Sequence, residues 1–380
     1  MENPFKYGGV VRGAYFADRK SEINELKREM ENLNRVFLVS PRRFGKTCLL
    51  LNLIDSLERS GFACAYVDLN AFPDIRSFAG AMTSLTSKAL ETNKDKLLKI
   101  FSGFQKLRPK VSVDQEGTIS ADLEVAVDGK EALSALLEGM QHTETLAAKK
   151  KRKLVVIIDE FSDLEKYNGR AIEKALRSEI QKQNHIGYIF SGSEQSVMLS
   201  MIRDRKRAFY KLGRIMELGP LKRPGYRAFI QNWLRKGGYE ATREDFARVF
   251  EIGDDVPYNI QRLCHVMWDS ASESRRIKPS LIETLALIIA KQDSPHYEML
   301  WRSASQAQKV LLIALSKDQS AKPFSKDFQL KHGIGPSSSI KASLDSLLKK
   351  GILYRTLEGS YRFADLFMPY WIDYIRKHIR

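Results

Sequence analysis

The chain has 380 residues, with 62 Lys plus Arg against 46 Asp plus Glu, which gives a formal net charge of +16. This length suffices for roughly two or three domains that each bury a core, and it excludes a peptide-sized protein. A hydrophobic share of 43% with 28% charged residues is typical of a globular protein and too apolar for a disordered one.

The apolar residues are distributed as in a protein without membrane segments. No run reaches the roughly 18 apolar residues of a membrane span, and the first residues, MENPFKYGG, lack the regions of a signal peptide. Cys48, Cys64 and Cys264 lie in apolar runs at no ligand-like spacing, which fits buried thiols in a reducing compartment. We therefore expect a soluble cytoplasmic protein without disulfides, zinc or membrane contact.

Residues 1–218 alternate short apolar runs with longer amphipathic ones, which predicts an α/β core with a parallel sheet and crossover helices. The predicted strands are residues 36–39, 63–69, 154–158 and 188–190. Between the second and third lies LRPKVSVDQEGTISADLEV, in which apolar residues alternate on both sides of an acidic turn. This segment predicts a β-hairpin inserted into the core.

After Leu218 the sequence becomes mainly helical. Residues 219–297 carry apolar residues at helical spacing and predict a helical lid domain. Residues 298–380 predict three helices, two extended pieces around Glu358 and Gly359, and a closing aromatic helix. The order helix, helix, helix, hairpin is typical of a winged helix-turn-helix domain.

The first predicted strand is followed by Ser40, Pro41, Arg42, Arg43, Phe44, Gly45, Lys46, Thr47 and the helix that opens with Cys48. This segment matches the phosphate-loop pattern G-x-x-x-x-G-K-[ST] except that Ser40 replaces the first Gly. Backbone amides and the helix N-terminus would wrap the phosphates, Lys46 would reach the β and γ phosphates, and the Thr47 hydroxyl would bind Mg²⁺. The residues from Ser40 to Cys48 are therefore our candidates for binding ATP.

A second motif is LVVIIDEFSDL, where an apolar strand ends in Asp159 and Glu160. After a phosphate loop, this pair predicts one carboxylate for the Mg²⁺ ion and one that orients and deprotonates water. A helix cap is the alternative for an isolated Asp-Glu pair. Another predicted strand ends in YIFSGSEQS, where Ser193, with Ser191 as the alternative, is the candidate to sense the γ-phosphate.

The segment RDRKRAFYKLGRIMEL supplies candidates to stabilise charge in the transition state: Arg203, Arg205, Arg207 and Arg214. Each could act on the nucleotide of its own chain or of a neighbouring subunit in a homo-oligomer. Taken singly, each is more typical of a solvated surface arginine.

Together these motifs resemble the archaeal-type ATPase family, a branch of the AAA+ and STAND phosphate-loop ATPases. The matching segments are ADRKSEINELKREM, SPRRFGKT, IIDEFSDL, IFSGSEQSVM, AFYKLGRIMELGPL, GDDVPYNIQRL and GSYRFADLFMPYWI. The resemblance implies that Asp18 and Arg19 lie at the adenine, that Arg214 is an arginine finger, and that Pro257 and Tyr258 of the lid approach the adenine. Asp254 departs from the family's usual second Gly in the lid signature.

The resemblance implies an ATP-binding core, a helical lid and a winged helix whose arrangement changes on hydrolysis or exchange of ATP for ADP. Members of the family include DNA-acting machines and signalling switches. We therefore carry two hypotheses: an Mg²⁺-dependent ATPase that acts on double-stranded DNA, and a STAND-type switch with slow hydrolysis and a protein partner.

The net charge of the last 80 residues favours the hypothesis that the winged helix binds DNA. Residues 301–380 contain 14 Lys plus Arg against 6 Asp plus Glu, a net charge of +8. In the predicted helix SSSIKASLDSLLKKG, we expect Ser337, Ser338, Ser339 and Lys341 to face DNA and Ile340, Leu344 and Leu347 to face the domain core. Arg355 and Arg362 of the wing would contact phosphates. The alternative is a winged helix that contacts protein.

Overall fold

The computed structural model describes residues 1–91, 107–113, 119–125, 129–167, 169–270, 275–277, 279–318, 322–356 and 359–378. The chain divides into two compact units. One unit is Val10–Pro220, and the other combines Met1–Gly9 with Leu221–Arg380.

The unit Val10–Pro220 is built from seven described strands and six described α-helices. The strands are β1 (Arg35–Val39), β2 (Ala63–Asp68), β3 (Leu107–Val113), β4 (Ile119–Val125), β5 (Leu154–Asp159), β6 (Ile186–Gly192) and β7 (Arg214–Glu217). The helices are α1 (Lys20–Glu31), α2 (Lys46–Arg59), α3 (Ile75–Leu90), α4 (Gly129–Lys150), α5 (Gly169–Ile180) and α6 (Gln195–Arg203).

Five strands form one parallel sheet in the order β2-β5-β6-β1-β7. The four strands predicted from apolar runs are confirmed, and the α/β fold class is confirmed with them. β7 was not predicted, because only one of its four residues is buried and no apolar run marks it.

Helices cover both faces of this sheet. Phe37 and Val39 of β1 join one hydrophobic cluster, whereas Val36 and Leu38 join a second cluster that includes residues of α1 and α2. All six residues of β5 are buried. Strands covered on both faces are expected to be apolar throughout, which is why β5 was recognisable in the sequence.

The parallel arrangement brings three chain segments to one edge of the sheet. β1, β5 and β6 end at Val39, Asp159 and Gly192, and the register pairs Val39 with Gly192. In open parallel sheets, ligands bind outside the carboxyl ends of the strands. The segments after these three strands therefore define the place to look for a site.

The inserted hairpin is also confirmed. β3 and β4 pair antiparallel, with Val111 opposite Ala121. Its turn, residues 114–118, lies outside the described residues.

The second unit contains nine described α-helices and a two-stranded antiparallel sheet. The helices are α7 (Arg223–Lys236), α8 (Arg243–Gly253), α9 (Pro257–Ser270), α10 (Pro279–Gln292), α11 (Ser294–Ser303), α12 (Gln306–Lys317), α13 (Lys326–His332), α14 (Ser337–Lys349) and α15 (Met368–His378). The strands are β8 (Leu353–Arg355) and β9 (Tyr361–Phe363). The predicted wing is therefore confirmed, although Glu358 lies outside the described residues.

The first nine residues belong to this second unit. Phe5 is fully buried, with its ring 6.0 Å from that of Trp268, and the Asn3 amide donates to the His265 carbonyl at 3.0 Å. The boundaries proposed from sequence at residues 218 and 297 stay predictions. Among the residues that the structure describes, none of the helices combines the length and the apolar character needed to cross a membrane.

Candidate active site

The backbone between β1 and α2 is shaped to receive an anion. Arg43 and Gly45 both have left-handed backbones, with φ of 72° and 80°. Such turns direct successive N–H groups into a concave nest that binds anions. α2 begins at Lys46 with Gly45 as its N-cap, so the unpaired N–H groups of a helix N-terminus adjoin the same loop.

Ser40 fits the first position of the loop without strain. It is fully buried, its φ is not positive, and its N–H donates to the Gly192 carbonyl at 3.3 Å. Its hydroxyl donates to the Pro41 carbonyl at 3.1 Å, and Arg42 beyond it is exposed. The backbone here does not require glycine, which explains the departure from the pattern.

Lys46 joins the phosphate loop to the Asp-Glu pair. Its ammonium nitrogen lies 2.9 Å from Asp159 Oδ1 and 2.7 Å from Glu160 Oε1, and the side chain is 7% exposed. The next residue, Thr47, donates its hydroxyl to Asp159 Oδ2 at 3.3 Å. The two sequence motifs therefore form one cluster.

Asp159 is a buried carboxylate surrounded by donors. Burial alone would raise the pKa of Asp159, but the Lys46 ammonium and hydrogen bonds from Ser191 and Tyr66 hold that pKa below its ordinary value. The Ser191 hydroxyl donates to Oδ1 at 2.6 Å. Asp159 is thus ionised and next to the Thr47 hydroxyl, and together they offer the oxygen ligands that Mg²⁺ prefers.

Glu160 is more accessible than Asp159 and is held by different partners. Its side chain is 21% exposed, and Oε2 accepts from the Ser193 N–H at 3.0 Å and the Ser193 hydroxyl at 2.9 Å. Its backbone is left-handed, with φ of 48°, and its N–H donates to Asp159 Oδ1 at 2.9 Å. Ser191 and Ser193 therefore contact different carboxylates.

Two residues of β2 were missed by sequence reasoning. Tyr66 donates its phenol to Asp159 Oδ2 at 2.7 Å, and burial and the Asp159 charge raise the pKa of Tyr66, so the phenol stays protonated. Asp68 pairs with Asp159 in the sheet register, and burial and the charges of Asp159 and Glu160 raise the pKa of Asp68. The available signal was polar residues at alternate positions near the carboxyl end of a strand.

Arg19 holds the phosphate loop. Its guanidinium donates to the Gly219 carbonyl at 2.6 Å, to the Phe44 carbonyl at 3.4 Å and to Glu22 at 2.8 Å, and the residue is 4% exposed. These contacts let Arg19 support the loop, and its predicted approach to the adenine stays a prediction. The approach of Asp18 to the adenine stays a prediction.

Cys48 ties the start of this unit to α2. Its sulfur accepts a hydrogen bond from the Val11 N–H at 3.3 Å, and the Asn52 amide donates to the Val11 carbonyl at 2.9 Å. The contact of Cys48 with a nucleotide stays a prediction.

Arg214 is not brought to this cluster. It is the first residue of β7 and pairs in register with Val36, near the amino end of β1, whereas the phosphate loop follows Val39 at the other end. Its guanidinium forms ion pairs with Glu25 and Glu29 of α1. The structure therefore does not place Arg214 at the phosphate loop of its own chain, and its action on the nucleotide of a neighbouring subunit stays a prediction.

The lid residues lie in the second unit. Pro257 is the first residue of α9, and the Tyr258 ring lies 6.0 Å from that of Tyr7. Asp254, which replaces the usual glycine, keeps a left-handed backbone with φ of 51°. The approach of Pro257 and Tyr258 to an adenine stays a prediction.

The serine-rich helix α14 has the predicted orientation. Ser337, Ser338, Ser339 and Lys341 are exposed, whereas Ile340, Leu344 and Leu347 are buried. The surface that α14 presents is therefore polar and carries one cation in its first two turns.

The two arginines of the wing, Arg355 and Arg362, differ in how exposed they are. Arg355 is exposed, donates to the Gly359 carbonyl at 3.3 Å and lies 5.9 Å from the Tyr361 ring centre. Arg362 is half-buried and near Asp254: burial raises the pKa of Asp254, and the Arg362 charge opposes that rise. The predicted phosphate contacts of Arg355 and Arg362 stay predictions.

A phosphate loop with a buried lysine, an Asp-Glu pair at the next strand end and a separate winged helix define a P-loop ATPase with a C-terminal winged helix. Residues 16–263 match the family described as an ATPase domain predominantly from Archaea, and the chain belongs to that family. Residues 295–374 match a probable winged helix domain. The resemblance drawn from the motifs is confirmed, and the chain is an ATP-hydrolysing P-loop enzyme.

Solved structures show the same fold. The Walker-type ATPase PABY2304 of Pyrococcus abyssi has a TM-score of 0.63 at 15% identity, with 97% of this chain and 99% of that chain covered. The ADP form of the Aeropyrum pernix ORC2 protein has a TM-score of 0.50 at 12% identity, with 98% and 97% covered. No curated protein matches the chain in sequence.

Proposed function

We propose that this protein is an Mg²⁺-dependent ATPase whose nucleotide state controls a basic winged helix that acts on double-stranded DNA. The cluster of Lys46, Thr47, Asp159 and Glu160 carries this proposal, because a phosphate-binding lysine and an oxygen-rich cation site lie beside an accessible carboxylate.

The side chains divide the work of hydrolysis. Lys46 binds the β and γ phosphates at the N-terminus of α2. Thr47 and Asp159 would hold Mg²⁺, which when bound neutralises phosphate charge. The oxygen donors fit that ion, since the Thr47 hydroxyl and Asp159 Oδ2 are 3.3 Å apart.

Glu160 is the residue that orients water and takes its proton. It is partly exposed, whereas Asp159 is buried, so of the two carboxylates it is the one that solvent reaches. Ser193 holds Oε2 with two hydrogen bonds and so limits the rotation of the carboxylate. A positioned base of this kind contributes about 10²- to 10⁴-fold in rate.

The support for DNA is the charge and the surface of the winged helix. Residues 301–380 have a net charge of +8, and α14 exposes three serines and Lys341. Hydroxyls and a lysine suit phosphate contacts more than base readout, so we infer binding with weak sequence preference.

The test is steady-state ATP hydrolysis with and without duplex DNA, together with the salt dependence of duplex affinity. We expect duplex DNA to alter turnover and its affinity to fall as salt rises. If duplex affinity is undetectable at low salt while ATP is still hydrolysed, the DNA part of the proposal fails. A STAND-type switch with a protein partner then becomes the better hypothesis.

A further inference from the structure

A tyrosine outside both nucleotide motifs contacts the metal-binding carboxylate. Tyr66 lies on β2, opposite Ile157 of β5, and its phenol oxygen is 2.7 Å from Asp159 Oδ2. The two residues are 93 positions apart in the chain. The hydrogen bond therefore depends on the pairing of β2 with β5.

The two carboxylate oxygens of Asp159 have different numbers of polar contacts. Oδ1 accepts hydrogen bonds from the Ser191 hydroxyl at 2.6 Å and the Glu160 N–H at 2.9 Å, and it lies 2.9 Å from the Lys46 ammonium. Oδ2 accepts hydrogen bonds from the Tyr66 phenol at 2.7 Å and, at the longer distance of 3.3 Å, from the Thr47 hydroxyl. Tyr66 is thus the nearest described donor on the oxygen that faces Thr47.

Tyr66 is itself held in place. Its backbone belongs to a paired strand, and its ring packs against the hydrophobic cluster that includes Leu50 and Leu53 of α2. A packed ring on a paired strand has little rotamer freedom, so its hydroxyl stays in a fixed position beside the Asp159 carboxylate.

We propose that Tyr66 is a positioning residue for the metal site: its phenol fixes the plane of the Asp159 carboxylate so that Oδ2 stays directed at Thr47. This inference rests on the proposed Mg²⁺-dependent hydrolysis. In this role Tyr66 does not touch the nucleotide and acts through the side chains that would hold the metal, chiefly Asp159.

Removal of the phenol should weaken the binding of divalent ions and leave nucleotide affinity nearly unchanged. Loss of a hydrogen bond that orients a metal ligand typically costs 10- to 100-fold in metal affinity. For Tyr66→Phe we expect about 10-fold weaker divalent binding, because four other hydrogen bonds and ion contacts to Asp159 remain.

The experiment is titration of Mn²⁺ into the protein–ADP complex, with free Mn²⁺ followed by electron paramagnetic resonance. Affinity for fluorescent ADP is measured separately in EDTA. Tyr188→Phe is the matched control, since its buried phenol donates to Gln183 at 2.6 Å and does not contact the site.

The expected result is about 10-fold weaker Mn²⁺ binding for Tyr66→Phe, ADP affinity in EDTA within about 2-fold of the unmodified protein, and no change for Tyr188→Phe. Unchanged Mn²⁺ binding in Tyr66→Phe overturns the inference. Equal weakening in both variants also overturns it, because that indicates general loosening of the core. If the unmodified protein–ADP complex binds no Mn²⁺, the metal dependence in the proposed function fails and this inference fails with it.

Discussion

The Lys46 ammonium lies 2.7 Å from Glu160 Oε1, although 114 positions separate the two residues in the chain. The contact joins the residue that we propose binds phosphate to the residue that we propose takes a proton from water. Both charges belong to one partly buried cluster, so the variants below are chosen to separate effects on ATP binding, turnover and stability.

Glu160→Gln should separate binding from turnover. The amide keeps the size of the side chain but cannot accept a proton, so we expect ATP to bind and hydrolysis to fall by about 100-fold or more. Turnover is measured by phosphate release and binding by fluorescent ATP. Glu165→Gln is the control, because Glu165 is 45% exposed and pairs with Arg207, whereas Glu160 pairs with Lys46. Turnover in Glu160→Gln equal to that of the unmodified protein would refute the assignment.

Lys46→Met should weaken ATP binding, lower the stability at neutral pH and make that stability less dependent on acid. Loss of a charged contact to phosphate predicts about 10- to 100-fold weaker binding.

The effect on acid sensitivity follows from Asp159, whose pKa in the folded protein is below its ordinary value of 3.8. The stability that this lowered pKa contributes is present above the ordinary value and is lost as pH falls below it. Without Lys46 the effect of burial is less opposed and the pKa of Asp159 rises, so the variant should be less stable at pH 7 and should lose less stability than the unmodified protein as the pH falls. The free energy of unfolding in urea, measured between about pH 3 and pH 7 for both proteins, gives this pH dependence. Lys166→Met, which removes an exposed ammonium, is the control and should leave the acid transition unchanged.

Arg207→Ala should destabilise the fold strongly. Arg207 forms ion pairs with Glu173 and Glu165, and the Glu173 side chain is 1% exposed. Its removal leaves a buried carboxylate without a cation, for which we expect a loss of about 3–5 kcal/mol in the free energy of unfolding. Urea denaturation measures it. Arg203→Ala breaks an exposed pair with Glu217 and should cost less than about 1 kcal/mol. Similar losses in the two variants would contradict the argument from burial.

Lys341 and Arg362 should differ in their effect on duplex binding. If Lys341 contacts a phosphate, Lys341→Ala reduces the slope of log affinity against log salt by about 0.9. Arg362→Ala should change that slope less, because Arg362 is half-buried and its charge already acts on Asp254, whose pKa it lowers against the effect of burial. Fluorescence anisotropy at several salt concentrations gives both slopes. A larger change for Arg362→Ala than for Lys341→Ala would contradict this prediction and favour a phosphate contact by the wing.

The parts of the fold that sequence predicted are those with strong local patterns. Strands covered on both faces must be apolar, so β5 was visible as LVVIID, whereas β7 has one buried residue among four and was not. The phosphate loop could be recognised in the sequence because phosphate binding needs residues that are adjacent in the chain. The hydrogen bond of Tyr66 to Asp159 was not, because its partners are distant in the chain.

The sequence by itself determined the class of chemistry, since a phosphate loop, an Asp-Glu pair after an apolar strand and a basic C-terminal region are local features. Only the tertiary structure decided which side chains share the site. The register of β1 with β7 places Arg214 opposite Val36 and away from the phosphate loop, and the pairing of β2 with β5 brings Tyr66 to Asp159. Strand register is a property of contacts between distant segments, so a local pattern can mark Tyr66 as a candidate but cannot identify the partners of either residue.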